Sequence, residues 1–142
     1  MEEGGRGEDC LGGGNELTPG KAWSNDQHAL GETVANGGHA NKRGATEEKT
    51  QTLIIGAGPI GRATLEFVRL TGAKVTVMDR VANRLEFCRT TYGVAHTLRS
   101  QGDDSELEQI LAFTNGPRSG LFIDAPCNPP SMSHALRYVA PT

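Results

Sequence analysis

The hexamer Gly56-Ala57-Gly58-Pro59-Ile60-Gly61 limits more than any other feature what this chain can fold into. It follows the short apolar run Thr52-Leu53-Ile54-Ile55. It precedes a stripe of Ile60, Ala63, Thr64, Phe67, Val68 and Leu70 at spacings of three and four. A strand buried on both faces reads as such a run, and an amphipathic helix reads as such a stripe. The three glycines then serve different ends, with Gly56 permitting a tight turn, Gly58 leaving the backbone bare and Gly61 allowing close packing of helix on strand. Pro59 suits the first helical turn, where its missing N–H would have had no intrahelical partner. The unpaired N–H groups at the positive end of that helix seat a phosphate anion.

The same punctuation repeats along the chain. Gly72 stands where the first helix would end, and Lys74 to Asp79 reads as the next strand. Val81, Leu85 and Cys88 mark a helix closed around Tyr92-Gly93, and Ala95 to Leu98 a third strand. Asp103-Asp104-Ser105 caps a helix carrying Leu107, Ile110, Leu111 and Phe113, closed by Asn115-Gly116-Pro117. Leu121 to Asp124 is a fourth strand, and Pro129-Pro130-Ser131 opens a last helix through Ala135, Leu136 and Val139. Strands alternating with helices predict right-handed crossovers and a parallel sheet. The expected fold is α/β, a partial Rossmann fold of about four strands in the order 3-2-1-4.

Asp79 ends the second strand 18 residues beyond Gly61. A carboxylate there can accept both hydroxyls of an adenosine ribose, and it would repel the 2′-phosphate of NADP. NAD is therefore the expected cofactor, held by Gly56, Gly58, Pro59, Ile60, Gly61 and Asp79, with Arg80 against the adenine face. The plainer alternative is a glycine turn followed by an exposed strand-end Asp. A methyltransferase loop would place its third glycine one residue earlier. Arg62 either reaches a phosphate oxygen or points to solvent. Asp124-Ala125-Pro126-Cys127-Asn128, at the carboxyl end of the fourth strand, either lines the nicotinamide side of the crevice or is an ordinary connecting loop.

The N-terminal part reads differently. Eleven of the 19 glycines precede Thr50, and residues 1–28 hold one aromatic, Trp23, with no apolar period. Such a segment buries too little surface to offset the entropy of ordering, so residues 1–28 are expected to be a disordered Gly-rich tail. Residues 29–50 form a connector, with a short helix ended by Gly37-Gly38, and residues 51–142 the nucleotide-binding domain. A net charge of −3 supplies no basic field for nucleic acid or an anionic membrane, and no apolar window is long enough to span one. Met1-Glu2-Glu3 does not begin a secretion signal, so the cytoplasm is the expected compartment. Cys10, Cys88 and Cys127 are too far apart for a structural zinc pair and read as reduced thiols. His28, His39, His96 and His134 have no metal-binding spacing, so no metal ligand is assigned, and no residue is assigned to a chemical step.

Leu53 to Gly61, Gly72 to Asp79, Arg84-Leu85-Glu86-Phe87-Cys88 and Phe122-Ile123-Asp124-Ala125 together resemble the coenzyme domain of zinc-type medium-chain alcohol dehydrogenases, nearest the sorbitol or polyol dehydrogenase-like branch. Weaker similarity reaches back over Glu32 to Ala40 and Lys42-Arg43-Gly44. The resemblance implies NAD-linked oxidation of a secondary alcohol beside a catalytic zinc. It also implies that the zinc-ligating catalytic domain precedes this part and that a fifth and sixth strand follow it. The chain is thus expected to be truncated and catalytically incomplete alone, with a separate zinc-domain chain or a second copy as candidate partner. Pro126-Cys127 and Arg62 depart from the family pattern, which has a Thr-Gly pair and an apolar residue there. The alternative class is a non-catalytic dinucleotide-binding or interaction module, or an inactive gene fragment.

Overall fold

A computed structural model describes residues 24–46, 48, 50–103, 105–114 and 120–125. The elements run α1 (Asn25–Ala29), α2 (Gly31–Gly44), β1 (Gln51–Ile55), α3 (Pro59–Leu70), β2 (Lys74–Asp79), α4 (Ala82–Tyr92), β3 (His96–Arg99), α5 (Ser105–Thr114) and β4 (Leu121–Asp124). All strand pairs are parallel, and the sheet order is β3-β2-β1-β4. The expected fold class and strand order are therefore observed. Residues 1–23, Asn115-Gly116-Pro117 and the last helix expected over Pro129 to Val139 lie outside the described residues.

Alternation of side chains along β1 divides the core in two. Leu53 and Ile55 pack with Met78, Leu98 and Ile110 on one face of the sheet. Ile54 packs with Val77, Leu65, Leu85, Cys88 and Val94 on the other. Helices α3 and α4 thus cover one face and α5 the opposite one, which is what right-handed crossovers produce when the chain leaves β1 first toward β2 and later returns beside it as β4. Thr52 carries the one discord in β1. It is 2% exposed and its Oγ1 has no hydrogen-bond partner. A buried hydroxyl without a partner costs on the order of 1–3 kcal/mol, so the near-isosteric Thr52→Val is expected to stabilise the chain by about 1 kcal/mol. A rise in the urea unfolding midpoint at constant slope checks this; a fall contradicts it.

One expectation about the connector is corrected. The helix does not stop at Gly37-Gly38 but runs on to Gly44, where Ala45 takes a left-handed conformation with φ 45°. The glycines are contact points instead. A β-carbon on Gly37 would stand 2.7 Å from backbone atoms of Ala63 and Thr64, and one on Gly38 would touch the Phe67 ring at 3.4 Å. Helix α2 therefore lies against α3 at a separation only glycine permits. Ahead of α2, helix α1 spans Asn25–Ala29. Ser24 Oγ accepts from Gln27 N at 3.3 Å and Gln27 Oε1 accepts from Ser24 N at 2.9 Å, a reciprocal capping box written in the sequence as Ser-x-x-Gln.

Candidate functional site

The glycine hexamer lies between β1 and α3, at the carboxyl end of the sheet. Gly56 has φ 91°, which a side chain would strain, and its N–H donates to Met78 O at 2.7 Å. A β-carbon at Gly61 would stand 1.7 Å from the Gly56 carbonyl oxygen. The turn and the helix start are thus locked together by the absence of two side chains. Gly58 differs: its φ of −75° suits any residue, and a β-carbon there would meet nothing nearer than Arg84 Nη1 at 4.0 Å. The chain's own packing does not require glycine at that position, so the bare backbone faces open space.

Helix α3 begins at Pro59, and its first intrahelical bond runs from Arg62 N to Gly58 O at 2.9 Å. The N–H groups of Ile60 and Gly61 lie ahead of that bond, at the positive end of the helix. Pro59 is exposed and Ile60 half-buried beside them.

Asp79, the last residue of β2, is 9% exposed. Its Oδ2 accepts from Ala57 N, inside the hexamer, at 2.6 Å, and its Oδ1 accepts from Val81 N at 2.7 Å. The carboxylate therefore fastens the glycine turn to the neighbouring strand. Each oxygen has accepted one N–H and retains capacity for a further donor, since a carboxylate offers about four acceptor sites. The structure brings the Asp79 carboxylate to Ala57 N and sets Gly61 against Gly56 in the same turn. Arg80 is exposed, and the cation at the carboxylate is Arg84, with Nη1 3.7 Å from Asp79 Oδ2. Arg84 is not among the residues the sequence singled out for the crevice. A helix starting at Ala82 returns the side chain one turn after the strand end toward that strand's carboxyl edge, and that spacing was the available signal.

Asp124 pairs with Ile55, and Ala125 N donates to Ile55 O at 3.0 Å. A β-carbon at Gly61 would be 3.5 Å from Ala125 Cβ. The end of β4 thus flanks the hexamer at the place where the sheet order reverses, between β1 and β4, which is where open α/β sheets place their ligand crevice. Pro126, Cys127 and Asn128 lie outside the described residues.

Arg62 is half-buried on α3. Its guanidinium lies 5.2 Å over the Phe87 ring, and Phe87 meets Tyr92 edge-on at 5.6 Å. Arg69 stands 5.9 Å over Tyr92, so two arginines and two aromatics clamp α3 to α4. Cys88 is buried beneath that clamp; burial pushes its thiol up, with Arg62 opposing and Asp79 adding to the shift. It is a core residue rather than a nucleophile. Cys10 and Cys127 lie outside the described residues.

A parallel sheet of this order with a glycine turn after its first strand is an α/β fold of Rossmann type. Residues 59–142 match the family model described as zinc-binding dehydrogenase. The chain belongs to that family. It is 31% identical over 111 residues to L-galactonate-5-dehydrogenase of Escherichia coli strain K12, covering 78% of this chain and 32% of that protein. It is also 31% identical over 91 residues to (R,R)-butanediol dehydrogenase of Neisseria gonorrhoeae, covering 64% of this chain and 25% of that one. Among solved structures, zinc dependent alcohol dehydrogenase 2 of Streptococcus pneumonia superposes with a TM-score of 0.73 at 23% identity, over 82% of this chain and 34% of that one. An alcohol dehydrogenase of E. coli CFT073, complexed with NADH, gives a TM-score of 0.65 at 27% identity over 78% of this chain and 32% of that one. The chain spans about a third or less of the curated relatives it matches.

The family name implies zinc. Among the described residues no group of three or more His, Cys, Asp and Glu comes together as a metal site. His39 on α2 and His96 on β3 are exposed on separate elements, and Cys88 is enclosed in the core. The described donors do not fit a zinc ion. A different set, the bare Gly58 backbone and the strand-end Asp79 carboxylate beside it, fits a dinucleotide. No helix among the described residues is long and apolar enough to cross a membrane.

Proposed function

We propose that this chain is the dinucleotide-holding part of a zinc-binding dehydrogenase and that its ligand is NAD rather than NADP. The observation that carries the reading is the pairing of an open Gly58 with the buried Asp79 carboxylate, joined through Ala57 N at 2.6 Å. A pyrophosphate approaches the backbone at Gly58, where no side chain stands, and receives the N–H groups of Ile60 and Gly61. The adenosine ribose places its hydroxyls on the remaining acceptor sites of Asp79. Arg84, on the ligand side of both Gly58 and Asp79, offsets negative charge gathered there. Bound NAD supplies a hydride acceptor. Asp124 and Ala125 border its nicotinamide side.

The whole-protein activity in this reading is oxidation of a secondary alcohol, polyol-like in class, with the zinc-ligating domain supplied outside the described residues by the same polypeptide, a separate chain or a second copy. The cytoplasm is the compartment where such a chain would work with reduced thiols. Support comes from family membership and from the NADH held by one related structure. Calorimetric titration of the purified chain with NAD and with NADP tests the ligand. NAD is expected to bind at least about tenfold more tightly, the cost of setting a 2′-phosphate against Asp79. Equal or tighter NADP binding contradicts the assignment.

A further inference from the structure

Glu106 opens the first turn of α5 and is 2% exposed, an unusual burial for a carboxylate. Its Oε1 accepts from three consecutive residues: Ser100 Oγ at 2.8 Å, Gln101 N at 2.6 Å and Gly102 N at 2.6 Å. Gly102, with φ 80°, turns the chain so that the two amides converge. Converging backbone N–H groups form a concavity that binds an anion, and here the chain fills it with its own carboxylate. Ile110, one turn along the same helix face, is an ordinary core residue at 1% exposure. An apolar residue at 106 would leave those three donors without their shared acceptor, so the carboxylate is what holds the turn in this shape.

The segment it holds is the continuation of β3. Arg99 pairs with Asp79 in the parallel ladder, and Ser100 N donates to Asp79 O at 3.0 Å. Asp79 in turn receives Ala57 N from the glycine turn. Asp79 thus links the two sides, its main-chain oxygen taking Ser100 N from the turn that Glu106 holds and its carboxylate taking Ala57 N from the hexamer.

We infer that Glu106 is a positioning residue for the adenosine end of the crevice: it clamps the Ser100–Gly102 turn against the end of β2 and so fixes the Asp79 carboxylate. The inference rests on the dinucleotide reading for its ligand, and on the hydrogen-bonded set alone for its geometry. Two readouts on the full chain test it. ADP-ribose, which bears the adenosine end, and nicotinamide mononucleotide, which lacks it, are titrated into the wild type, E106Q and S100A, and the Ala57 amide resonance is followed by NMR. E106Q keeps the shape and gives up the charge. Its ADP-ribose affinity is expected to fall about tenfold, with nicotinamide mononucleotide binding unchanged and the Ala57 resonance displaced. S100A, which removes one of three donors, is expected to move both readouts less and in the same direction, and decides the matter should E106Q fail to fold. A merely structural role lowers thermal stability while leaving ADP-ribose affinity and the Ala57 resonance as in the wild type, and that result overturns the inference. A wild type that binds no ADP-ribose overturns the dinucleotide reading instead; an unmoved Ala57 resonance in E106Q then overturns the clamp as well, and a displaced one upholds it.

Discussion

Gly61→Ala is expected to cost the chain about 3 kcal/mol or more, or to abolish its cooperative unfolding transition. Helix propensity argues the other way, since alanine is favoured over glycine inside a helix by about 1 kcal/mol. The close approach decides. A β-carbon at Gly61 would stand 1.7 Å from Gly56 O and 2.9 Å from Gly56 C, both backbone atoms of a turn that is itself held by Gly56 N to Met78 O. No side-chain rotation relieves that overlap; either α3 withdraws from β1 or the turn opens. Leu65 and Val68 on α3, both fully buried, would lose their packing in the first case. Gly31→Ala is the control, because a β-carbon there meets nothing within 4 Å. It should leave stability unchanged or raise it slightly. Chemical unfolding of the two variants checks the pair, and equal stability of both would contradict the close approach.

Asp79→Ala is expected to lower stability by about 2–3 kcal/mol before any ligand is present, and to remove NAD binding as well. The stability loss arises because Ala57 N, in a residue 1% exposed, is left without its acceptor. Val81 N loses its acceptor too, at a more exposed position. Asp79→Asn keeps one carbonyl oxygen and should fall between wild type and Ala in stability while still binding NAD poorly. Unfolding curves with and without NAD separate the effects: the wild-type midpoint rises with NAD, and the Ala variant starts lower and does not respond. An Ala variant as stable as the wild type would contradict the role of Asp79 in holding the turn.

Much of the fold was legible because its signals are local. The turn glycines and the apolar positions between them are read locally, so Lys74 to Asp79 matches β2 residue for residue, and the spacing of Ile60 to Leu70 delivers α3. The position of the hexamer after a strand and before a helix identified the loop. What was not legible depends on pairs of distant residues. Gly37-Gly38 looks like a helix stop in sequence, and only the nearness of Ala63 and Thr64 turns it into a contact. Glu106 looks like a solvated residue of an amphipathic helix, and its burial follows from a turn that begins six residues earlier. Arg62 looks ambiguous in sequence because the Phe87 ring that receives it lies on another helix. The capping box of α1 is legible in Ser24 and Gln27, but the glycine-rich composition around it argues against any helix and outweighs so short a signal.

The most direct test of the account is calorimetric titration of NAD into the wild type and Gly58→Ala. Gly58 is the one loop glycine whose β-carbon would meet only open space and the tip of Arg84, so the variant should lose no more than about 1 kcal/mol of stability, the usual cost of alanine at a helix N-cap. Its new methyl group would stand where the pyrophosphate must approach the backbone. The account predicts that the wild type binds NAD and that the folded variant binds it at least about tenfold more weakly. A wild type that binds no NAD, or a variant that binds it equally well, would contradict it.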